Sequence, residues 1–420
     1  MSAAPLMDDR AAERRLPRLL AGLRSDGMTV SLDMHARRHG RLEPVRDLIS
    51  LVEQSGLTGR GGGAFPAASK LDAVRSRRGR PVVVVNGAEG EPASGKDKVL
   101  LVYAPHLVLD GAVLAARALG ARDVIVATAS RGAGAAVAAA AAERRDTGIS
   151  LQRVTVPDRF VAGEETALVQ FINGGACLPT LTPPRPFERG VGGAPTLVQN
   201  VETLAHVALI ARYGPQWFRA VGTPEEPGST LVTLSGAVQD PGVYEIPLGV
   251  SFDELLDEAG GAIAEIQAFL VGGYFGTWID AADAASARLL DADLAPLRAT
   301  LGARAIIALP KGACGVAETA RVARYLAAES AGQCGPCVHG LAAIADDLSQ
   351  LVARRAGVDE QRLHRRLGII PGRGACRHPD GAVRLVRSAL DVFAPEFARH
   401  FRGGSCTGTG RPVVPMKKER

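Results

Sequence analysis

Residues 81–156 alternate short apolar runs with helical patterns, and this alternation constrains the fold more than any other feature of the chain. The run 81–86 (Pro-Val-Val-Val-Val-Asn) is apolar up to its last residue, which is typical of a parallel strand buried on both faces. Two more strands are predicted at 123–128 and 151–156, and helices are predicted at 106–119 and 132–145. The pattern predicts an α/β layer with right-handed crossovers.

Beyond residue 200 the pattern changes, first to short strands and then to helices. A helix is predicted over 201–213, and a Pro- and Gly-containing linker follows at 224–228. Residues 230–259 have the pattern of a strand, a turn, a second strand and a helix. The last part is helical, and an antiparallel bundle is predicted from helices at 316–329, 340–356, 359–367 and 380–401.

The bulk composition excludes several classes of protein. The net charge is +5, but acidic and basic residues are interspersed and there is no long basic helix, so we expect no nucleic-acid binding. No segment approaches the roughly 18 apolar residues of a membrane span, and residues 1–15 lack the apolar core of a signal peptide. Six cysteines in 420 residues are not a disulfide framework. We therefore expect a cytoplasmic protein with no direct membrane span.

A glycine-rich loop precedes the first predicted strand. It contains Gly59, Arg60, Gly61, Gly62 and Gly63, and it is followed by Phe65 and Lys70. Glycine adopts positive φ angles and has no Cβ, so backbone N–H groups in such a loop can approach phosphate oxygens closely. A lysine nearby adds a positive charge that can complement a phosphate. The alternative is a glycine-rich turn that binds nothing.

Asparagines and glutamates occur where the predicted strands end or the predicted helices begin. The candidate residues are Asn86, Glu89, Glu91, Glu164, Glu165 and Asn200, together with Gly163, which precedes Glu164. Open α/β sheets bind ligands at the carboxyl ends of their strands, and an amide at such an end offers both a donor and an acceptor. Loop carboxylates accept hydrogen bonds from ribose hydroxyls or an amide. The alternative for Glu164 and Glu165 is simple stabilisation of a helix N-terminus.

Three cysteines have the spacing of a cluster site. Cys334 and Cys337 form a Cys-x-x-Cys loop with Gly and Pro, and Cys376 follows 39 residues later. A cubane normally takes four thiolates, so three thiolates suit a 3Fe-4S cluster, or a 4Fe-4S cluster with another fourth ligand. The candidates for that ligand are His339, His378 and Cys406. A structural zinc and a site without metal are the alternatives.

Besides the cysteines, four sequence motifs follow one another in the part of the chain between Gly56 and Phe401. They are Gly-Leu-Thr-Gly-Arg-Gly-Gly-Gly-Ala-Phe-Pro at 56–66, Asn-Gly-Ala-Glu-Gly-Glu-Pro at 86–92, Gly-Glu-Glu-Thr-Ala-Leu at 163–168 and Gln-Asn-Val-Glu-Thr-Leu at 199–204. Together with the cysteine loop at 329–337, they resemble the flavin-bearing NADH-oxidising subunit of respiratory complex I and of related bidirectional hydrogenases. The resemblance covers most of the chain.

The resemblance implies a fold, a set of ligands and a function. The fold is an α/β flavin-binding domain plus a ubiquitin-like β-grasp domain plus a C-terminal four-helix bundle. The ligands are FMN, NADH or NADPH as substrate, and an iron–sulfur cluster on Cys334, Cys337 and Cys376. The glycine loop, Phe65, Lys70 and the polar residues named above would then contact the flavin or the nucleotide. Electrons would pass through FMN and the cluster to a ferredoxin-like or other iron–sulfur subunit of a hetero-oligomeric complex.

The implied domain boundaries follow the changes in pattern. We expect a helical extension at 1–48, the flavin- and nucleotide-binding domain at 49–223, the β-grasp domain at 229–300, the helical bundle at 301–402 and a flexible tail at 403–420.

The sequence also departs from the pattern that it resembles. Ala331 stands where that pattern has the first of four cysteines, Ala88 replaces an acidic residue and Phe160 replaces a tyrosine. Thr182 and Arg185 replace a lysine and a phenylalanine. An arginine there could meet adenine or a 2′-phosphate. These changes also support a second hypothesis, in which the chain is a non-catalytic scaffold with a degenerate nucleotide or cluster site.

Overall fold

The computed structural model describes most of the chain. The described residues are 16–24, 26–144, 148–355, 358–404, 408 and 411–417. Eight of the 18 residues of the predicted tail, among them the candidate ligand Cys406, lie outside them.

The first sheet has four parallel strands in the order β3-β2-β1-β4. They are β1 (Val82–Gly87), β2 (Asp123–Thr128), β3 (Ser150–Thr155) and β4 (Thr196–Asn200). Strand β1 is flanked on both sides, which explains its continuous apolar run. The first three strands and the α/β layer confirm the sequence prediction. The fourth strand was not predicted, because its five residues are too few for a clear pattern and follow a stretch interrupted by Pro179, Pro183, Pro184 and Pro186.

Helices cover both faces of this sheet. Pro105–Leu119 is buried along almost its whole length and packs against Val201–Arg219. The predicted helix at 201–213 continues to Arg219, with non-helical backbone at Gly214 ahead of Pro215. The other helices of this half and of the extension are Leu32–His39, Leu48–Ser55, Ala67–Arg75, Lys96–Tyr103, Arg131–Glu143 and Glu165–Ile172.

The second sheet has five strands in the order β6-β5-β9-β7-β8. They are β5 (Ser229–Gly236), β6 (Gly242–Pro247), β7 (Ile266–Val271), β8 (Thr277–Asp280) and β9 (Ala305–Pro310). The central strand β9 is parallel to β5 and antiparallel to β7. The boundary that we predict between residues 300 and 301 would separate β9 from its sheet. The short helices here are Phe252–Glu258, Ala281–Ala284 and Asp291–Leu294.

The C-terminal part is helical, as predicted. Its helices are Gly315–Ala328, Ala342–Val352, Glu360–Ile369, His378–Val392 and Ala394–Phe401, with a π-helical turn at Pro336–Leu341. The single helix predicted at 380–401 is two helices, separated at Phe393. Pro395 causes the break, since it has no N–H to continue the first helix and is well placed in the first turn of the second.

The end of the chain is not a free tail at residues 411–417. The N–H groups of Val413 and Val414 donate to the carboxylate of Glu318, at 3.2 and 3.0 Å. Val414 is buried, and the hydroxyl of Tyr274 donates to the carbonyl of Pro415. The prediction of a flexible tail is therefore wrong for this stretch, because a buried carboxylate and an apolar pocket hold it.

Crossing a membrane would require about 18 consecutive, predominantly apolar residues in one of the described helices. None of them is long and apolar enough by itself to cross a membrane; the pair Lys96–Tyr103 and Pro105–Leu119 meets the criterion only when taken together across a bend of 95°.

Candidate functional site

The functional residues collect where the first sheet reverses its strand order. Strand β1 has β2 on one side and β4 on the other, and Asn86 is the register partner of Asn200 at their carboxyl ends. A cavity of about 580 Å³ lies at this position. Its size and its place at a topological switch point are those of a ligand site in an open α/β sheet.

The predicted glycine loop forms one wall of the cavity. The N–H groups of Gly61, Gly62 and Gly63 make no hydrogen bond to any described residue. Gly62 has a φ angle of 102°, and a Cβ built on it would point at the backbone of Gly302. Three consecutive N–H groups of this kind, on a backbone without side chains, suit a phosphate group. The donors present therefore fit FMN.

Arg60 serves a different purpose from its neighbours. Its side chain is buried and donates to Thr58 Oγ1 at 2.9 Å and to the Ser229 carbonyl at 3.3 Å. Its own N–H donates to Thr203 Oγ1 at 2.8 Å. Arg60 thus ties the glycine loop to the second sheet, and only its backbone is part of the cavity wall.

The loop after β1 forms a second wall. The amide of Asn86 donates to the Gly163 carbonyl at 2.8 Å and accepts from the Ala88 N–H at 3.2 Å. One N–H and one lone pair of this amide remain for a ligand. Glu89 accepts from the N–H groups of Asp97 and Lys98, so its carboxylate caps the helix that begins at Lys96.

Glu91 is a buried carboxyl group that lines the cavity and has a raised pKa. Its two oxygens accept from the N–H groups of Ala93 (3.0 Å) and Tyr274 (2.8 Å). Burial raises the pKa of Glu91 to about 7, although these two hydrogen bonds oppose the rise. The group therefore exchanges a proton near neutral pH.

The adjacent residues Glu164 and Glu165, in the third motif, make different contacts. Glu164 caps the helix Glu165–Ile172 by accepting from Thr166 and Ala167, and it also lines the cavity beside Gly163. Glu165 points elsewhere and pairs with Lys70 at 3.1 Å. The capping alternative is thus correct for Glu164, and it does not exclude contact with a ligand.

A buried ionic network supports the floor of the cavity. Lys96 lies 2.7 Å from Asp97 and 2.9 Å from Glu202, and the Asn200 amide donates to Asp97 at 2.7 Å. Burial opposes both charges, yet the Lys96 ammonium holds the pKa of Glu202 well below its usual range, and the two carboxylates raise the pKa of Lys96. Glu202 also accepts from the Leu231 N–H of β5, so this network joins the two sheets.

The three predicted cysteine ligands lie near one another. Burial raises the pKa of Cys337 to about 11, with further contributions from the neighbouring thiols of Cys334 and Cys376. Cys376 also lines the cavity that the glycine loop lines. Three adjacent thiols are the donor set that an iron–sulfur cluster requires, apart from its fourth ligand.

The two histidine candidates for that fourth ligand differ. His339 is exposed on the π-helical turn, whereas His378 is buried. One ring nitrogen of His378 (Nε2) lies 2.7 Å from the Leu326 carbonyl, and the other (Nδ1) has no partner among described residues. Nowhere in the described ranges are three or more His, Cys, Asp or Glu side chains arranged to hold a single metal ion, so the zinc alternative gains no support.

Four predicted contacts, Gly59, Phe65, Lys70 and Glu165, do not line the cavity. Phe65 is 57% exposed, and Lys70 and Glu165 form their ion pair outside the lining. The remaining predicted residues do line it, namely Arg60, Gly61, Gly62, Gly63, Asn86, Glu89, Glu91, Gly163, Glu164 and Asn200, whereas Gly59 bonds to Phe65 within the loop.

Sequence reasoning missed the contribution of the second half of the chain. Gly272, Phe275 and Gly302 line the cavity from loops of the second sheet, and His378 and Arg384 line it from a C-terminal helix. The glycines at 272, 273 and 276 were the available signal. A Cβ on Gly273 would lie 2.7 Å from the Glu91 carboxylate, so this glycine allows the two halves to meet.

Three family models match consecutive parts of the chain. The Nuo51 FMN-binding domain matches residues 52–209, the SLBB domain matches 231–269, and the NADH-ubiquinone oxidoreductase-F iron-sulfur binding region matches 317–400. Their order agrees with the two sheets and the helical part.

Similar proteins include a NADH-quinone oxidoreductase F subunit of Rhizobium meliloti (the one numbered 2), which is 33% identical over 86% of this chain and 90% of that protein. The NADH-quinone oxidoreductase F subunit of Streptomyces coelicolor is 32% identical over 96% of this chain and 94% of that protein. Among solved structures, an air-oxidised NAD⁺-reducing NiFe-hydrogenase matches with a TM-score of 0.81 and 30% identity, over 92% of this chain and 67% of that one. The chain therefore belongs to the family of the NADH-quinone oxidoreductase F subunits, the family that its motifs resemble.

Proposed function

We propose that this protein oxidises a reduced nicotinamide nucleotide at FMN and delivers the electrons to an iron–sulfur cluster and then to a partner redox protein. FMN supplies the chemistry of the site, because a flavin accepts a hydride and releases electrons one at a time. The family models for an FMN-binding domain and an iron-sulfur binding region support both cofactors.

One observation carries the proposal. A single cavity is lined at one side by the N–H groups of Gly61, Gly62 and Gly63 and at another side by Cys376. A flavin held by the glycine loop would thus lie beside a cysteine of the cluster site. This arrangement suits electron transfer from one cofactor to the other within one chain.

The residues around the cavity would position the ligands. We assign the flavin phosphate to the glycine-loop N–H groups and the ring edge to the remaining donor and acceptor of Asn86. We assign the nucleotide to the side where Phe65 and Arg185 are exposed and the Lys70–Glu165 pair is half-buried. Hydride transfer would be favoured by a cavity interior that excludes water and orients the two ligands. The transfer needs no general base.

We propose Cys334, Cys337 and Cys376 as three cluster ligands. Ala331 has no donor atom, so the fourth iron would have a ligand other than a thiolate from this position. Burial raises the pKa of Cys337 and of Cys376, and cluster assembly must remove the protons from these two thiols.

We propose that the second sheet is a β-grasp domain that extends to Pro310, and that the C-terminal helices are the cluster-binding bundle. The strand order, with β9 between β5 and β7, supports the first assignment. The chain would work in a hetero-oligomeric complex with a ferredoxin-like or other iron–sulfur subunit. Its cytoplasmic location stays a prediction.

The test is a visible absorption spectrum of anaerobically purified protein, followed by titration with NADH and NADPH. We expect flavin peaks with a broad iron–sulfur shoulder, and bleaching of both by a nucleotide. Flavin and iron that no nucleotide reduces would refute nucleotide oxidation. A spectrum with neither cofactor would favour the scaffold hypothesis, which the alanine at position 331 specifically supports.

A further inference from the structure

A segment with a net positive charge follows the cysteine loop in the sequence. Residues 353–377 contain seven arginines but only two carboxylates, Asp359 and Glu360. The segment therefore has an excess of five positive charges, which equals the net charge of the whole chain, +5. Residues 75–80 form another arginine cluster, with Arg75, Arg77, Arg78 and Arg80, but it lies at the amino end of β1, whereas the cavity that Cys376 lines is at the carboxyl end.

Only some of these arginines have partners. Arg362 and Arg366 both pair with the buried carboxylate of Asp347. Arg365 and Arg373 are exposed, and neither has an ion pair with a described residue. Arg377 reaches Asp380, but its side chain remains 90% exposed. We call Arg365, Arg373 and Arg377 the cationic rim.

The arginines of the cationic rim lie on the loop that carries Cys376 and on the helix before it, Glu360–Ile369. Arg373 and Arg377 belong to the loop that carries Cys376. Ile370, which begins this loop, packs against Gly340 in the π-helical turn of Cys337. Arg365 and the exposed Ile369 are four residues apart on one helix and so share a face.

The surface inside this rim is partly apolar. Val338, next to Cys337, is 47% exposed, and Ile369 is 60% exposed. The carboxylate nearest in sequence, Asp380, is largely covered and already accepts from Arg377 and the Gly372 N–H. Small exposed apolar patches within a rim of one charge are what a transient docking contact needs.

We propose that the cationic rim and the exposed apolar residues Val338 and Ile369 are the docking surface for an acidic iron–sulfur electron carrier. The inference rests on the proposed function, since it assigns the partner to the cluster end of the chain. An acidic face would be attracted to Arg365, Arg373 and Arg377 and would place its cluster beside Cys334, Cys337 and Cys376. Such steering acts mainly on the association rate and weakens as salt screens the charges.

The experiment uses the full anaerobic protein and an acidic plant-type 2Fe-2S ferredoxin as the probe. Its dissociation constant is measured calorimetrically at about 20 mM and about 200 mM salt, which span the range over which screening becomes strong. The test variant carries Arg365→Glu and Arg373→Glu. The matched control carries Arg78→Glu and Arg80→Glu, two exposed arginines at the amino end of β1. We expect the test variant to bind at least about tenfold more weakly at low salt and the control to bind like wild type.

Reduction of a small dye by NADH or NADPH is followed in the same samples. If no sample reduces the dye, the proposed function fails, while the binding data still test the surface. Equal dissociation constants for wild type and the test variant would overturn the docking surface. So would equally tight binding of basic cytochrome c or of duplex DNA, since either would show that acidity of an iron–sulfur carrier is not what the surface recognises.

Discussion

Lys70 and Glu165 form an ion pair that joins two of the predicted nucleotide motifs, with 3.1 Å between Nζ and Oε2. The guanidinium of Arg185 lies 3.7 Å from the other oxygen of the same carboxylate. One carboxylate therefore faces two cations, and the Arg185 side chain is 59% exposed. The excess positive charge would favour a ligand that carries an additional phosphate.

Arg185→Phe should change the preference between nucleotides. A guanidinium attracts a 2′-phosphate, which an aromatic ring does not. We expect the ratio of flavin reduction rates with NADPH and NADH to fall about three- to tenfold in the variant, the size expected for an exposed contact of about 1 kcal/mol. Arg189→Phe, a change at an exposed neighbour, is the control. Identical NADPH-to-NADH rate ratios in wild type and Arg185→Phe would show that Arg185 is not part of the nucleotide site.

Gly62→Val should abolish flavin retention. The φ angle of 102° at this position is strained for any residue with a Cβ, and the added side chain would enter the space before Gly302. The measurement is the molar ratio of flavin to protein after gel filtration. Gly79→Val is the control, since Gly79 has a similar φ angle of 104° but is exposed near the amino end of β1 and does not line the cavity. Full flavin occupancy in Gly62→Val would show that the flavin lies elsewhere.

Ala331→Cys should make the cluster more resistant to oxidants. It supplies a fourth thiolate, whereas the wild-type site with three thiolates should lose its fourth iron readily and give a three-iron cluster. Iron content and low-temperature EPR after mild oxidation compare the two proteins. A wild-type four-iron cluster as durable as that of the variant would mean that another residue is already the ligand. If neither wild type nor Ala331→Cys contained iron, the helical part would have only a structural role.

Glu91→Gln should reduce the dependence of stability on pH. The pKa of Glu91 is raised to about 7, so the folded state binds more protons than the unfolded state between the ordinary glutamate pKa and 7. Its contribution to the free energy of unfolding therefore falls as pH rises through this window and is lowest above pH 7. Relative to the variant, wild type should lose about 1–3 kcal/mol between roughly pH 5 and pH 8.

The glutamine also places one donor opposite a backbone N–H, which costs stability at every pH, so the difference in slope is the readout. Equal pH dependence in denaturant titrations of the two proteins would contradict the raised pKa.

Val414→Ala should destabilise the protein through the C-terminal stretch. Val414 is buried and its N–H bonds to Glu318, so the truncation leaves a small cavity and should cost about 1–2 kcal/mol. Val413→Ala is the matched control, because the neighbouring side chain is only half-buried. Denaturant midpoints of the two variants decide: equal small losses would mean that this stretch packs only loosely.

The sequence by itself determined the elements whose signal is local. The run 81–86, the helices that follow it and the C-terminal helices have periodic patterns, because one face or both faces of each are buried. The motif residues could be named as well, since glycine at a tight approach and thiols in a Cys-x-x-Cys loop have few substitutes. The family resemblance then supplied the ligands.

Only the tertiary structure decided how these pieces meet. Strand β9 has its place in the second sheet through pairing with β5 and β7, which are far from it in sequence. Lys70 donates to Glu165, which is 95 residues away in the sequence. Glu91 accepts from the N–H group of Tyr274, which is 183 residues away. Burial by distant segments, not local pattern, raises the pKa of Glu91 and holds Val414 in place. Contacts of this range depend on how whole elements pack, and no short window of sequence contains that information.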